Sequence, residues 1–467
     1  MASIADLRSA LARDPPVSSS ELCRRLGGID RATLLRWVRR LDPAVLRLGK
    51  ARRSAYALRR ALRGRQTPIP LYRIDATGNG HLLGRLSLIE PVGSALEWVE
   101  PCPWPLDDQM ADGWFEGLPY PLYDMAPQGF LGRHFAHRHA RLLGVSERLA
   151  DWTDADIAHV LATLGQDQPG DLILGEAPYK AELQTRAQRQ PQAREDYPAL
   201  AERALAFGDA GSSAGGECPK FATLIEHQGE AISVIVKFSG ADETPAVKRW
   251  SDLLVAEHLA LETLRSELAI PAAQSHIEHQ AGRCFLEVER FDRVGRQGRT
   301  PVCSLASLNP ALIGLAGEPW PEKAQRLHQQ GWLTLDACEQ IRCLWWFGRL
   351  IANNDMHDGN LAFRPGLTLA PVYDMLPMQY APTRSGELPP INFKPALLPL
   401  PGDQSAWLQA REAAIGFWNR CADEPSISST FRKIAADNRA ALMRLEPAAQ
   451  AGQMVGNETG ETDGPDT

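Results

Sequence analysis

No stretch of the chain reaches the ~18 uninterrupted apolar residues of a membrane-spanning helix. Residues 1–13 mix charged with apolar positions where a secretory leader would carry an unbroken apolar core, so a cytoplasmic protein is expected. Cysteine is sparse: eight residues, at positions 23, 102, 218, 284, 303, 338, 343 and 421, stand singly with no CxxC pair. That spacing excludes a disulfide framework and a paired-cysteine zinc site, and leaves reduced, mostly buried thiols as the reading. Compositional bias is absent too. With 44% hydrophobic and 23% charged residues, neither wholesale disorder nor a fibrous repeat fits. The 467 residues are too many for one small core, and about three units are expected.

Acidic side chains are scarce at one end only. Residues 1–65 hold sixteen Lys and Arg against five Asp and Glu, although the whole chain is net −7. Positive charge confined to one segment marks the part whose field attracts nucleic acid. Its pattern reads as three helices and a basic hairpin. The first helix covers 4–11, the second starts at Ser18 with capping-box spacing to Glu21 and ends at Gly27 and Gly28, and Asp30 caps the third. On that third helix Leu34, Leu35, Val38 and Leu41 share one face, with Arg31, Arg36, Arg39 and Arg40 largely on the other. Strand-like alternation over 45–48 and 54–58 then flanks Gly49, Lys50, Ala51, Arg52 and Arg53, a basic wing beside the helix. The whole resembles a winged helix-turn-helix. Double-stranded DNA bound through residues 1–65 is therefore the expected partner, with Arg31, Arg36, Arg39, Arg40, Lys50, Arg52 and Arg53 as contacts. A homodimer is expected only insofar as winged helices read paired half-sites.

A linker is expected over 63–70, and a strand-rich segment with Pro and Gly turns over 71–135. The run from Arg133 through His134, His137 and Arg138 to His139 offers imidazoles. No carboxylate or thiolate set completes a metal site there and the arginines repel a cation, so these histidines read as structural.

The chemistry lies in the second half. Residues 211–220 form a loop of small residues including Gly211, Gly215 and Gly216, whose backbone N–H groups can cradle phosphate oxygens. Alone, such a loop is most often a connection. A hairpin follows, 221–225 and 231–238 turning at Gly229, and its second strand places Lys237 among apolar residues. A strand lysine either snorkels to water or is paired by phosphates and a helix carboxylate. Glu257, on a helix expected over 252–264, is the candidate carboxylate. Residues 285–291 read as a strand running into a connection, where a kinase offers its hinge backbone to adenine. A helix over 335–352 leads to Asn353, Asn354, Asp355, Met356, His357, Asp358, Gly359 and Asn360. Asp355 and Asn360 have the D-x-x-x-x-N spacing of a kinase catalytic loop, in which the aspartate accepts the proton of the attacking hydroxyl and the asparagine holds magnesium. Residues 371–376 read as a short apolar strand bearing Asp374, where kinases place the magnesium-binding aspartate of D-F-G, here followed by Met375 and Leu376. A strand-end cap is the plainer role for Asp374, but the joint order of these parts points to a kinase site.

Ser213-Ala214-Gly215-Gly216-Glu217-Cys218-Pro219-Lys220, Val288-Glu289-Arg290-Phe291-Asp292-Arg293, Asn354-Asp355-Met356-His357 with Asn360, and Tyr373-Asp374 resemble the HipA family of bacterial toxin kinases, over about residues 70–440. The resemblance implies an α+β chain with a divergent bilobal protein-kinase-like fold and an added N-terminal subdomain. It implies ATP and Mg2+ as cofactors and transfer of the γ-phosphate to Ser/Thr hydroxyls. Residue by residue, it implies Asp355 as catalytic base, Asn360 and Asp374 as magnesium ligands, Lys237 on the ATP phosphates, and Glu289 and Phe291 on adenine through their backbones. Gly215, Gly216, Glu217, Cys218, Pro219, Lys220, Arg290, His357 and Tyr373 are implied around the nucleotide. Ser213 aligns with a serine that such kinases phosphorylate on themselves, ejecting the loop and switching activity off. Glu217-Cys218-Pro219 departs from the Ala-Gln that many relatives carry before Pro or Glu, which puts nucleotide contacts there in question. The family's usual partner is a separate DNA-binding antitoxin, whereas this chain brings its own winged helix and is similar to the YjjJ-like branch.

The expected division is a winged helix over 1–65, a HipA-like N-terminal subdomain and linker over 66–200, a kinase N-lobe with the ATP loop over 201–295, a helical C-lobe over 296–446 and a disordered acidic tail over 447–467. Two other functions stand beside the kinase at this point. One is a nucleotide-responsive transcriptional regulator that does not catalyse, and the other a DNA-directed magnesium enzyme built on Asp355, Asp358 and Asp374.

Overall fold

The computed structural model describes residues 2–50, 53–206, 218–383, 385–390, 393–395, 399 and 401–445. Arg52, the loop residues Ser213, Gly215, Gly216 and Glu217, and the tail at 447–467 lie outside the described residues.

Helix α1 (Ile4–Arg13) starts on a reciprocal Ser3 and Asp6 capping box. β1 (Val17–Ser18) leads into α2 (Ser19–Arg25), whose cap Ser18 accepts the Glu21 N–H at 3.2 Å. The expected return bond from Glu21 is replaced: Arg24 and Arg25, one turn on, take its carboxylate at 2.6 and 2.7 Å. Such charge-assisted donors outcompete a backbone N–H. Gly27 and Gly28 end the helix at φ +76° and +80°, a left-handed conformation that costs glycine little. Asp30 caps α3 (Arg31–Arg40), and β2 (Val45–Leu48) and β3 (Ala55–Leu58) complete a sheet of order β1-β3-β2. Leu7, Leu11, Leu22, Leu34 and Tyr56 close the core beneath it.

Residues 63–68 form a mostly exposed connection, as expected, with a strand starting at Ile69, but the units on either side of it also meet along a seam. Leu46 and Ala57, on the other face of the small sheet, pack with Ile89, Ala95 and Trp114. The Arg60 N–H donates to the Leu88 carbonyl at 2.8 Å, the Glu90 N–H to Leu58 at 3.0 Å, and Arg63 pairs with Asp156 at 2.9 Å. All these partners are distant in sequence, so composition carries no sign of the seam.

β4 (Ile69–Ile74), β5 (Gly80–Leu88), β6 (Ser94–Trp98), β7 (Trp114–Phe115) and β8 (Leu172–Leu174) form an antiparallel sheet of order β7-β6-β5-β4-β8. Short α4 (Asp108–Ala111) interrupts the strands, and α5 (Pro121–Asp124), α6 (Gly129–Leu143), α7 (Asp154–Leu164) and α8 (Glu176–Arg186) follow. The strand-rich expectation thus fails over 121–135. Phe130, Ala136, Ala140 and Leu143 recur at helical spacing and bury one face of α6. His134 and His139 sit on that helix with their rings 4.2 and 4.9 Å from Phe130 and Phe135.

Helix α9 (Tyr197–Ala206) straddles the expected boundary at 200 and 201, and lays Tyr197 and Ala201 into one core with Phe221, Phe238 and Phe285 of the next sheet. In that sheet, order β11-β12-β10-β9, β9 (Lys220–His227) and β10 (Glu230–Phe238) are joined through Gln228 and Gly229, both at positive φ as a tight hairpin requires. Between β10 and the pair β11 (Ser275–Gln280) and β12 (Arg283–Glu289) runs α10 (Pro245–Glu267), whose Leu253, Leu254 and Leu261 join the main core. After β13 (Arg293–Val294) and β14 (Gly298–Arg299) come β15 (Cys303–Ser304), α11 (Leu305–Leu312), α12 (Trp320–Gln329), α13 (Leu335–Leu350), β16 (Ala362–Arg364), β17 (Thr368–Leu369), α14 (Gln404–Asp423) and α15 (Ser429–Met443). Phe347, Trp407, Phe417 and Trp418 centre this helical part. The strand expected over 371–376 reduces to a single parallel bridge between Val372 and Ala272. Pro371 has no N–H to extend a ladder, and the chain turns away at Asp374, φ +52°. The architecture is mixed α+β, and among the described residues no helix is long and apolar enough to cross a membrane.

Candidate active site

A cleft of about 510 Å³ opens between the β9–β10 hairpin and the helical part. In the antiparallel register Lys237 faces Lys220 and Ile235 faces Ala222, so both lysines and Ile235 point to the same side of the sheet. Lys237 is 7% exposed, and its Nζ lies 2.6 and 2.8 Å from the two oxygens of Glu257, a fully buried residue of α10. It also contacts Asp374 Oδ1. The sequence alternative of a snorkelling lysine is thereby overturned, because carboxylates from two other elements pair the charge inside.

Burial alone would lower the Lys237 ammonium, but Asp374 and Glu257 overcome it and hold the group above its ordinary value. Burial likewise pushes the Asp374 carboxyl up, while Lys237 and Lys220 more than offset it and keep it at about 2. Asp374 is the open member, with its side chain 32% exposed to the cleft. Cys218, at the entry to β9, is a buried thiol pushed up to about 12 by burial, so it is no nucleophile at neutral pH. Pro219 accepts the Phe238 N–H at 3.0 Å and does not line the cleft.

The hinge-like stretch forms one wall. Glu289 donates its N–H to the Gln274 carbonyl at 2.8 Å, and the Phe291 carbonyl accepts from Thr300 Oγ1 at 2.8 Å. Burial raises the Glu289 carboxyl. Arg290 lines the cleft, and its guanidinium is held by Asp292 at 3.1 and 3.0 Å and by Asp167 at 3.4 Å. Asp292 also takes Arg293 at 2.6 Å and the Gly170 N–H at 2.9 Å, which ties the hinge to the sheet of β4–β8.

Opposite stands the loop after α13. The Asp355 N–H donates to Asn353 Oδ1 at 3.0 Å, and Asn360 Nδ2 donates to the Asp355 carbonyl at 2.9 Å, so the two ends of D-x-x-x-x-N are bonded to each other. The Asp355 side chain is exposed at the cleft and Asn360 is buried beneath it. His357 Nδ1 accepts the Gly359 N–H at 3.1 Å, and Tyr373 donates its hydroxyl to the Gly359 carbonyl at 2.5 Å, its ring 5.7 Å from Phe291. Asp358 faces away: Lys323 holds both of its oxygens at 2.7 and 2.8 Å.

Of the expected site residues within the described chain, Cys218, Lys220, Lys237, Glu289, Arg290, Phe291, Asp355, His357, Asn360, Tyr373 and Asp374 line this one cleft. Sequence reasoning missed its apolar walls at Ile235, Trp250, Leu254, Val288 and Leu376. Ile235 could have been found two residues before Lys237 on the same strand face. It missed also Asp124, Gln128 and Pro169 from the preceding unit, for which no local signal existed. On α3, Arg31, Arg36, Arg39 and Arg40 are exposed, as is Lys50. Arg53 is bridged to Asp112 at 3.2 Å and to Asp108 at 3.6 Å.

Comparison with known proteins follows the same division. Residues 65–183 match the model of the YjjJ-like toxin middle domain, and residues 212–443 match the HipA-like C-terminal domain. Toxin YjjJ of Escherichia coli (strain K12) is 38% identical over 446 residues, covering 92% of this chain and 96% of that protein. Among solved structures, HipA of Shewanella oneidensis MR-1, in complex with HipB and operator DNA, covers 80% of this chain and 96% of its own, at 15% identity and a TM-score of 0.49. The Helicobacter pylori proinflammatory kinase CtkA covers 48% and 91%, at 12% identity and a TM-score of 0.33. The chain belongs to the YjjJ-like toxins, a family with a HipA-like C-terminal domain.

Proposed function

We propose that the chain is an ATP-dependent serine/threonine protein kinase that binds double-stranded DNA through a winged helix at its N-terminus and acts as a toxin on a cytoplasmic protein. The observation that carries this is the joint one: Lys237 paired with Glu257 and Asp374 across a cleft from a bonded Asp355 and Asn360.

The donor chemistry fits the cofactors. The Asp374 carboxylate and the Asn360 amide offer hard oxygen donors of the kind magnesium takes. No group of three or more His, Cys, Asp or Glu among the described residues could hold a metal alone, so nucleotide oxygens and water would complete the shell. Magnesium there supplies neutralisation of phosphate charge. Lys237 and Lys220 present two ammonium groups to the same oxygens, and Ile235, Val288 and Leu376 offer an apolar slot for adenine. With the Glu289 N–H and Phe291 carbonyl engaged, the Glu289 carbonyl and Phe291 N–H are the hinge groups assigned to the base. Asp355 orients the incoming hydroxyl and accepts its proton as the phosphoryl group transfers, a step governed by positioning and charge rather than covalent chemistry. Ser213 is the assigned site of self-phosphorylation.

In the N-terminal unit, α3 enters the major groove with Arg31, Arg36, Arg39 and Arg40, and Lys50, Arg52 and Arg53 meet backbone phosphates, with a dimer reading paired half-sites. The engagement of Asp358 by Lys323 counts against a DNA-directed magnesium enzyme using that carboxylate. The test is transfer from γ-labelled ATP and magnesium to proteins of a cell extract. Transfer by wild type that is lost in Asp355→Ala and Asp374→Ala supports the kinase, and equal transfer by all three sinks it.

A further inference from the structure

The catalytic loop is anchored from outside the cleft. His357, Gly359 and Asn360 line the cleft, whereas Asp358 between them does not. Its carboxylate is held by Lys323 of α12, 4% exposed, and by Asn309 Nδ2 of α11 at 3.1 Å. Asn309 is itself immobilised, since its Nδ2 also donates to the Leu315 carbonyl at 3.0 Å and its Oδ1 accepts the Leu315 N–H at 2.9 Å. A buried ammonium is costly, and two apolar side chains would join α12 to the loop as well or better. What the ion pair adds is direction: it fixes the carboxylate at the first residue of the short 3-10 turn Asp358–Asn360.

That turn determines where Asn360 points. The Asn360 N–H closes it on the His357 carbonyl at 3.0 Å, and the Asn360 Nδ2 is held by the Asp355 carbonyl at 2.9 Å. With the amide nitrogen bound to the loop's own backbone, the amide oxygen is turned the other way. We infer that Lys323 is a positioning residue for the metal-binding end of the catalytic loop: by clamping Asp358 it sets the turn from which Asn360 presents its oxygen. Lys323 does not line the cleft. The inference rests on the magnesium role proposed for Asn360.

The experiment is binding of a fluorescent ATP analogue, titrated with magnesium, alongside thermal unfolding, for wild type, Lys323→Met, Lys323→Arg and the apolar pair Lys323→Met/Asp358→Leu. The magnesium concentration at half-saturation rises roughly tenfold or more in Lys323→Met, the size typical of losing a supporting partner of a metal ligand. Lys323→Arg recovers most of it. The paired variant melts like wild type and keeps the magnesium defect, while magnesium-free binding of the analogue is unchanged in all. A folded paired variant with wild-type magnesium dependence overturns the inference, as does an equal loss of affinity with and without magnesium. Wild type that binds no analogue with magnesium overturns the kinase reading and this inference together.

Discussion

Replacing Lys237 by methionine leaves Glu257 and Asp374 facing one pocket without the cation that touches both. Glu257 is fully buried and cannot turn to water. Removing one member of a buried ion pair costs about 3–5 kcal/mol, which for a unit of this kind lowers the melting temperature by roughly 10 °C. The pH dependence is more diagnostic than the size. In wild type the Asp374 carboxyl is held at about 2, below its unfolded value, so its contribution is complete above the unfolded pKa and lost only as pH falls toward 2. Between pH 7.5 and 5.5 Asp374 leaves wild-type stability flat, while burial already holds the Glu257 carboxyl above its ordinary value against the pull of Lys237. In Lys237→Met two like charges share a desolvated site, so one carboxyl is raised above its unfolded value. Its contribution is then present in acid and lost as pH rises, and acidification from pH 7.5 to 5.5 restabilises the variant. Each unit by which that pKa exceeds the unfolded one is worth about 1.4 kcal/mol. Urea unfolding at the two pH values measures it. A variant destabilised by less than about 1 kcal/mol, or one that loses stability on acidification, refutes the reasoning.

Further outcomes follow from the rest of the structure. Asp292→Ala removes one of the two carboxylates that pair Arg290 and Arg293, whose side chains are 11% and 5% exposed, and leaves Asp167 on both, so it should cost about 1–3 kcal/mol by urea unfolding. Nucleotide affinity should fall with it, because the hinge loses the Asp292 bond to the Gly170 N–H and keeps only the Arg293 bond to the Gly170 carbonyl. In fluorescence anisotropy at fixed salt, Arg36→Ala with Arg39→Ala weakens DNA binding roughly tenfold or more. Arg53→Ala weakens it less, since Asp112 and Asp108 already hold that side chain, and Asp112→Asn strengthens binding. A loss from Arg53→Ala equal to that from the Arg36→Ala and Arg39→Ala pair would contradict the engagement of Arg53 by Asp112 and Asp108.

The parts of the site legible in the sequence were those defined by short-range spacing. Asp355 and Asn360 lie on one turn, and Lys237 stands out as a charge within an apolar strand, so each carries its own signal. Glu257 followed from helical periodicity. What could not be read came from contacts across the chain. Asp124 and Pro169 reach the cleft from another unit, and the pairing that reduces 371–376 to one bridge depends on residues 271–273. The capping box at Ser18 failed for a local reason, since Arg24 and Arg25 compete for Glu21. The fold's mixed α+β character was legible, but the seam at Leu46, Ala57 and Trp114 was not, because apolar residues on a short strand do not say which neighbour covers them.

The most direct measurement is to incubate wild type and Asp355→Ala with magnesium and ATP and map phosphate by mass spectrometry, on the protein itself and on a cell extract. A kinase of this design places phosphate on Ser213 and on extract proteins with wild type alone. Phosphate on neither, or phosphate placed equally by Asp355→Ala, contradicts the account.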